Sequence, residues 1–171
     1  MKKILSILLL LVAINAKSQS LKKYSVSKSG CSVYMFCDPG QFEKNYSEDS
    51  SKVYTGECVK DDFTYGLICV QLKDSVSSDQ DAEALIESYL DFLKGQFSIR
   101  SAAGYGKGMH LNNNEDIIGI IDYWQAEDKI QWSIQGWTDG KIIAVLYVNG
   151  KEQADYNKQQ VFFKGFRFPG M

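Results

Sequence analysis

IIGIIDYWQAEDKIQWSIQGWTDGKIIAVLYV, residues 117–148, is the stretch of sequence that decides the fold. Polar turn residues at 126–128 and 138–140 divide it into three predicted strands, 117–125, 129–137 and 141–148. Asp139-Gly140 is a residue pair that favours a type I′ hairpin turn. Three consecutive strands joined by short turns predict an antiparallel meander.

The last strand of this meander is predicted to be central in its sheet. In the middle strand, Ile130, Trp132 and Ile134 alternate with polar residues, so one face is buried. Residues 142–148 are instead apolar on both faces. A strand of this kind is covered on both sides by helices or loops.

A long amphipathic helix is predicted before the meander. Ser77 and Gln80 have the spacing of a capping box at its start. Apolar residues then recur with helical periodicity, and acidic residues and a lysine fill the other face. The apolar positions are Ala82, Leu85, Ile86, Tyr89, Leu90, Leu93 and Phe97.

The remaining elements complete an α+β fold. Residues 31–36 predict a first strand, and 52–59 with 63–72 predict a hairpin around Asp61-Asp62. Residues 151–163 predict a weaker closing helix with Ala154, Val161 and Phe162 directed inward. We therefore expect a single domain over residues 19–171: an antiparallel sheet with a long helix after the first hairpin and a C-terminal helix packed on it.

The N-terminal segment has the pattern of a secretory signal. Lys2 and Lys3 precede an apolar run of about eleven residues that ends in small and polar residues. The run is shorter than the ~20 residues of a membrane-spanning helix. We predict a signal peptide over residues 1–18, cleaved after Ser18 or after Ala16, a periplasmic or secreted protein, and no membrane span after cleavage.

The charge excludes one class of partner. The sequence has 19 Lys and Arg residues against 21 Asp and Glu residues. Removing residues 1–18 removes three lysines, which leaves 16 basic residues against 21 acidic ones and a net charge of −5. Because such a surface repels phosphate backbones, we expect no nucleic-acid partner.

The chain contains an even number of cysteines, Cys31, Cys37, Cys58 and Cys69. In an exported chain an even number favours disulfides. A strand over 32–36 separates Cys31 from Cys37 by about 20 Å, whereas bridged Cα atoms lie within about 7 Å. If three strands form a meander, Cys31 lies near Cys58 and Cys37 near Cys69, and we predict these two bonds. Free buried thiols are the alternative. Zinc is disfavoured because the chain lacks a CxxC motif.

Tyr34, Phe36, Pro39 and Phe42 form an aromatic, aromatic, proline, aromatic pattern. This pattern resembles the opening of PsbP-like domains and of their bacterial DcrB relatives, and the order of elements is similar over most of residues 31–168. The resemblance implies an antiparallel sheet sandwiched between helices. It also implies an accessory, protein-binding role without a shared catalytic site, and it transfers no functional residue to this chain.

Few residues suggest catalysis. His110 is the only histidine, and no serine lies in a Gly-x-Ser-x-Gly elbow. The glycine-rich run 104–108 lacks the spacing of a phosphate-binding loop, so a surface loop is favoured. Carboxylates for glycoside hydrolysis would have to come from acids such as Glu115, Asp116 and Asp122, but turn and edge positions explain these acids better. We predict no catalytic residue, no metal site and no cofactor.

Three aromatic residues are the candidate contact residues for a partner: Trp137, Trp124 and Tyr105. Trp137 falls on the polar face of its strand, where it either contacts a partner or lies under the C-terminal helix. The sequence favours an exported, non-enzymatic binding or accessory protein that acts through protein contacts. The alternatives are a periplasmic immunity protein that inhibits a toxic enzyme, a carrier of small apolar ligands, and a carboxylate-based hydrolase.

Overall fold

The computed structural model describes residues 21–171, so the predicted signal over residues 1–18 lies outside the described residues. Two α-helices are present in this part of the chain, α1 (Asp79–Gln96) and α2 (Tyr156–Phe163). Neither helix is long and apolar enough to cross a membrane. The strands are β1 (Lys22–Ser25), β2 (Ser32–Met35), β3 (Glu43–Tyr46), β4 (Lys52–Lys60), β5 (Phe63–Gln71), β6 (Ile99–Ala102), β7 (Gly106–His110), β8 (Ile118–Ala126), β9 (Gln131–Thr138), β10 (Ile142–Gly150) and β11 (Phe166–Arg167).

An eight-stranded sheet forms the centre of the fold, in the order β3-β4-β5-β10-β9-β8-β6, with β7 also paired to β8. All pairings between the described strands are antiparallel, which confirms the α+β class. β10 lies between β5 and β9. Its alternate residues enter two separate cores: Leu146 faces one and Val145 the other, as the two-sided apolar pattern predicted.

Helix α1 covers one face of this sheet, where it contacts β8 and β9. Its N-cap is Ser78, whose side chain accepts from the Asp81 backbone N–H, one residue later than the predicted capping box. The apolar stripe buries Ala82, Ile86, Leu90 and Leu93. Each buried leucine or isoleucine contributes about 1.5–3 kcal/mol, which holds the helix on the sheet.

A second sheet, β1-β2-β11, and helix α2 cover the opposite face. Phe162 is fully buried, and its ring centroid lies 5.3 Å from that of Tyr65 on β5. Val161, which was predicted to point inward, is 46 % exposed. Gln159 and Phe163 are buried beside Phe162 instead.

The disulfide prediction is wrong in its pairing. Cys37 bonds to Cys58, with Cα atoms 5.8 Å apart, while Cys31 and Cys69 are buried free thiols. The prediction placed the first strand beside the hairpin in one meander. In the structure β2 belongs to the second sheet and packs over the β4–β5 hairpin. Cys37 therefore lies over Cys58 rather than beside Cys69.

Candidate functional site

A cleft wraps around one end of the central sheet. It consists of three adjoining depressions, one of which encloses about 720 Å³. We call it the Trp132 cleft. The residues that border more than one depression are Phe63, Ile130, Trp132, Asn149, Gly150 and Glu152.

The antiparallel register brings these residues together. Lys60 pairs with Phe63 across the β4–β5 turn, and Thr64 pairs with Asn149 on β10. Asn149 pairs in turn with Trp132 at the start of β9. The end of β4, the starts of β5 and β9 and the end of β10 therefore lie at one end of the sheet, and the turns beside them form the rim.

Aromatic rings form the walls of the cleft. The Trp132 ring stacks on Phe97, with centroids 4.7 Å apart, and lies 5.3 Å from Tyr147. The Trp132 indole N–H is shielded from solvent and has no hydrogen-bond partner among the described residues. At Gly150 a side chain would collide with the Phe63 ring, so the glycine lets this ring lie directly against β10.

The rim of the cleft is acidic. Carboxylates at five positions line it, against a single lysine, Lys151. Lys158 lies 3.3 Å from Asp61 in an exposed ion pair at the same rim. The other end of the sheet differs, since its depression is lined by Lys73 and Lys141 together with one acid. The five acidic positions of the cleft are Asp61, Asp62, Glu127, Asp128 and Glu152.

A second polar cluster joins α1, β8 and the glycine-rich segment. The Lys94 Nζ lies 3.2 Å from Asp91 Oδ1, 3.4 Å from Asp122 Oδ2 and 2.9 Å from the Tyr105 hydroxyl. Asp122 is fully buried and also accepts from the Trp124 indole N–H at 2.6 Å. We call these five residues the Lys94 cluster.

Electrostatics stabilise the charged forms of the Lys94 cluster. Burial opposes the charge of Lys94, but hydrogen bonds with Tyr105 and Asp91 and the attraction of Asp122 outweigh it and raise the pKa of Lys94. The hydrogen bond from Tyr105, followed by that from Lys94, lowers the pKa of Asp91. Burial, and then Asp91, raise the pKa of the Tyr105 hydroxyl. The cluster is a closed ion-pair network that fixes the glycine-rich segment to the helix.

The structure does not place the three predicted contact residues on one surface. Trp137 is 3 % exposed in the core under the second sheet, and its ring covers Gly119. Trp124 is 2 % exposed, and Tyr105 is engaged within the Lys94 cluster. Trp124 and Tyr105 do lie together, but their polar atoms form hydrogen bonds with other residues of the Lys94 cluster. We therefore correct the predicted contact roles of Trp137 and Trp124.

The other candidates also have local structural roles. The His110 Nδ1 lies 3.2 Å from the Ile117 carbonyl oxygen, to which it donates. Part of the glycine-rich segment forms strand β7. Lys107 on this strand pairs with Glu83 and Glu87, which attaches the strand to α1. Within residues 21–171, no group of three His, Cys, Asp or Glu side chains could hold a metal ion.

The acids named for hydrolysis lie in different environments. Glu115 and Asp116 are exposed in the turn before β8, whereas Asp122 is buried in the middle of that strand. About 13 Å of extended chain separates residue 118 from residue 122. Asp122 is already the acceptor for Trp124 and Lys94.

Phe63, Asn149 and Glu152 were not identified from the sequence, because they come from strand ends that only the sheet order brings together. Trp132 was predicted as a core residue; it packs, partly buried, against the core under α1, and it also borders the cleft. One feature of the sequence points toward the acidic rim. Acidic pairs occupy two turns, at 61–62 and 127–128, and a single sheet containing both hairpins can place these turns at the same end.

Comparisons with known proteins do not assign the chain to a family. The chain matches no protein-family model, and no curated protein matches it.

Proposed function

We propose that this chain is an exported, non-enzymatic accessory protein that binds a basic polypeptide partner in the Trp132 cleft. The observation that carries the proposal is the composition of the cleft, in which five carboxylates, one of them paired with Lys158, and the lining lysine Lys151 surround aromatic walls. An acidic, concave surface attracts positive charge and raises the rate of encounter with a basic partner.

The aromatic walls suit the same partner. Arginine and lysine side chains bind over the faces of tryptophan and phenylalanine rings, and the planar guanidinium also stacks on them. Trp132 and Phe63 offer such rings beside the carboxylates of Glu127 and Glu152.

Other features of the chain are consistent with an accessory role outside the cytoplasm. The predicted signal over residues 1–18 and the Cys37–Cys58 disulfide favour an oxidising compartment such as the periplasm. The resemblance to PsbP-like domains, with a sheet sandwiched between helices, favours a protein-binding module. One specific form of the proposal is an inhibitor of a toxic enzyme whose active site is basic. An open acidic cleft does not favour a carrier of apolar ligands.

The test is capture of the partner by matched variants. The purified protein is immobilised as wild type, as the cleft variant Glu127→Lys/Glu152→Lys, and as the control Glu43→Lys/Glu48→Lys. Each variant replaces two exposed glutamates by lysines, so both change the net charge equally. The control pair lies on or just after the edge strand β3. The captured proteins from the native periplasm are identified by mass spectrometry.

The proposal predicts a stoichiometric basic protein on the wild type and on the control, with recovery from the cleft variant reduced at least tenfold. Raising the salt concentration should release this protein, because salt screens exposed charges. Equal recovery on all three columns would refute the cleft as the binding site. An acidic or neutral partner would refute the proposed partner chemistry.

A further inference from the structure

Two buried cysteines remain outside the Cys37–Cys58 bond. Cys31 directly precedes β2 and is 3 % exposed, and Cys69 lies on β5 and is fully buried. Both belong to the core between the second sheet and the central sheet. The two side chains therefore enter the same buried apolar layer, one from each sheet.

The packing of β2 on the β4–β5 hairpin aligns these two residues. At one end of β2, Cys37 is bonded to Cys58, and the Phe36 ring lies 5.4 Å from that of Tyr65. Five residues back along the chain from Phe36 is Cys31, about 16 Å away if extended. Four residues along β5 from Tyr65 is Cys69, at about 13 Å. Cys31 and Cys69 therefore both lie toward the other end of this contact, within the same buried cluster.

The two thiols lie in the same buried cluster. Their mutual interaction raises the pKa of Cys69 and lowers that of Cys31. The Ser29 hydroxyl borders both sulfurs and accepts from the Cys31 backbone N–H at 3.0 Å. The same hydroxyl donates to the Val26 carbonyl at 2.7 Å, which fixes the turn that presents Cys31.

We propose that Cys31 and Cys69 form a second disulfide, so that the four cysteines pair in a nested pattern, 31 with 69 and 37 with 58. The oxidant is a small-molecule or enzyme disulfide. One cysteine thiolate attacks it and forms a mixed disulfide with release of one thiol. The other cysteine then attacks the mixed disulfide as a thiolate and releases a second thiol. Two cysteine thiols are oxidised, one oxidant disulfide is reduced, and both protons pass to the released thiols.

The bond forms while the chain folds, because both sulfurs are inaccessible once the core has closed. It joins the start of β2 to β5, while the Cys37–Cys58 bond joins the end of β2 to β4. The second sheet is then held at both ends against the central sheet. The proposal does not depend on the function of the Trp132 cleft.

Peptide mapping tests the pairing directly. The protein is purified from the native cell without reductant, denatured, and alkylated to block its free thiols. Cyanogen bromide cuts after Met35, between Cys31 and Cys37, and trypsin then separates the other cysteines. The cysteines fall in four fragments, 29–35, 36–44, 53–60 and 61–73.

The proposal predicts fragment 29–35 linked to 61–73 and fragment 36–44 linked to 53–60, with no alkylated cysteine. Alkylation of both Cys31 and Cys69 would overturn it, as would a link between 29–35 and 53–60. As a second measurement, the variant Cys37→Ser/Cys58→Ser is refolded with oxidised and reduced glutathione. It should retain the 29–35 to 61–73 link, and fully alkylated material that is nevertheless folded would also refute the proposal.

Discussion

Replacing Asp122 by asparagine should destabilise the fold far more than its small change in shape suggests. The Asp122 Oδ1 accepts from the backbone N–H groups of Gly104 at 3.1 Å and Tyr123 at 2.8 Å. The Oδ2 accepts from the Trp124 indole at 2.6 Å and faces Lys94 at 3.4 Å. All four neighbours are donors. Whichever way the new amide turns, its NH₂ group meets donors.

The expected cost follows from this geometry. Asp122 is fully buried, and Lys94 has a side chain that is only 21 % exposed. Removing one partner of a buried ion pair costs about 3–5 kcal/mol. Lys94 keeps Asp91 as a partner, so most of this cost falls on the donors around Asp122 that must face the new NH₂ group. For a chain of this size, such a loss lowers the melting temperature by roughly 6–20 °C. The matched control is Asp91→Asn in the same cluster, where the carboxylate is 65 % exposed and the expected cost is about 0–1 kcal/mol.

Urea unfolding of the wild type and both variants measures these costs. We expect the midpoint to fall strongly for Asp122→Asn with an unchanged slope, and to change little for Asp91→Asn. A cost below 1 kcal/mol for Asp122→Asn would refute the reasoning, because the buried carboxylate would then not hold the cluster. Equal costs for the two variants would show that burial does not distinguish the two carboxylates.

Two further predictions concern the core and a surface turn. Gly119→Ala should lower the free energy of unfolding, measured in urea, by about 1–3 kcal/mol, because the new Cβ overlaps the Trp137 ring. Gly95→Ala lies in open space on α1 and should stabilise the protein by up to about 1 kcal/mol. Equal effects of the two substitutions would contradict the packing of Trp137 on Gly119. Hydrogen bonds, first from Ser47, lower the pKa of Asp49 to about 2. NMR titration of its carboxyl carbon should show that midpoint, and Ser47→Ala should raise it. The stability that Asp49 contributes is present above about pH 4 and is lost as the pH falls through about 2; an ordinary midpoint in the wild type would contradict the turn geometry.

The strongly patterned elements of the fold were predictable from the sequence. The strands around 117–148, the 52–72 hairpin and helix α1 have continuous apolar periodicity, which tertiary packing then reinforces. Strand β3 was missed because its four residues are all exposed at the sheet edge, so no face is apolar. Strand β7 was missed for the same reason, since all five of its residues are exposed, and β6 was missed because only Ile99 among its four residues is half-buried.

Turn types required side-chain detail that a dipeptide does not contain. Asp61 and Asp62 both have positive φ, at 52° and 66°, and form the two-residue turn of the first hairpin. At the predicted type I′ turn, only Gly140 has a positive φ, at 79°. The Asp139 carboxylate accepts from the backbone N–H groups of Lys141 and Ile142, and this alternative hydrogen bonding favours a longer turn.

The disulfide and the Trp132 cleft depend on how distant segments pack, so no local pattern predicts them. A strand of 31–36 can lie beside the hairpin or across its face, and the two arrangements give different cysteine pairs. The cleft likewise needs the order of β5, β10 and β9 in the sheet, since each contributes one strand end. The contact roles assigned to Trp137 and Trp124 failed because strand alternation gives the face of a residue but not what covers that face.

The most direct test of the proposed function is a titration of the ¹⁵N-labelled protein with an oligo-arginine peptide, followed through the Trp132 indole N–H signal and the Asn149 amide signals. We expect both to shift saturably at low salt, and the shifts to disappear in Glu127→Lys/Glu152→Lys but not in Glu43→Lys/Glu48→Lys. The absence of a saturable shift at Trp132 and Asn149, or the same shift in the cleft variant, would contradict the assignment of this cleft as a site for basic polypeptides.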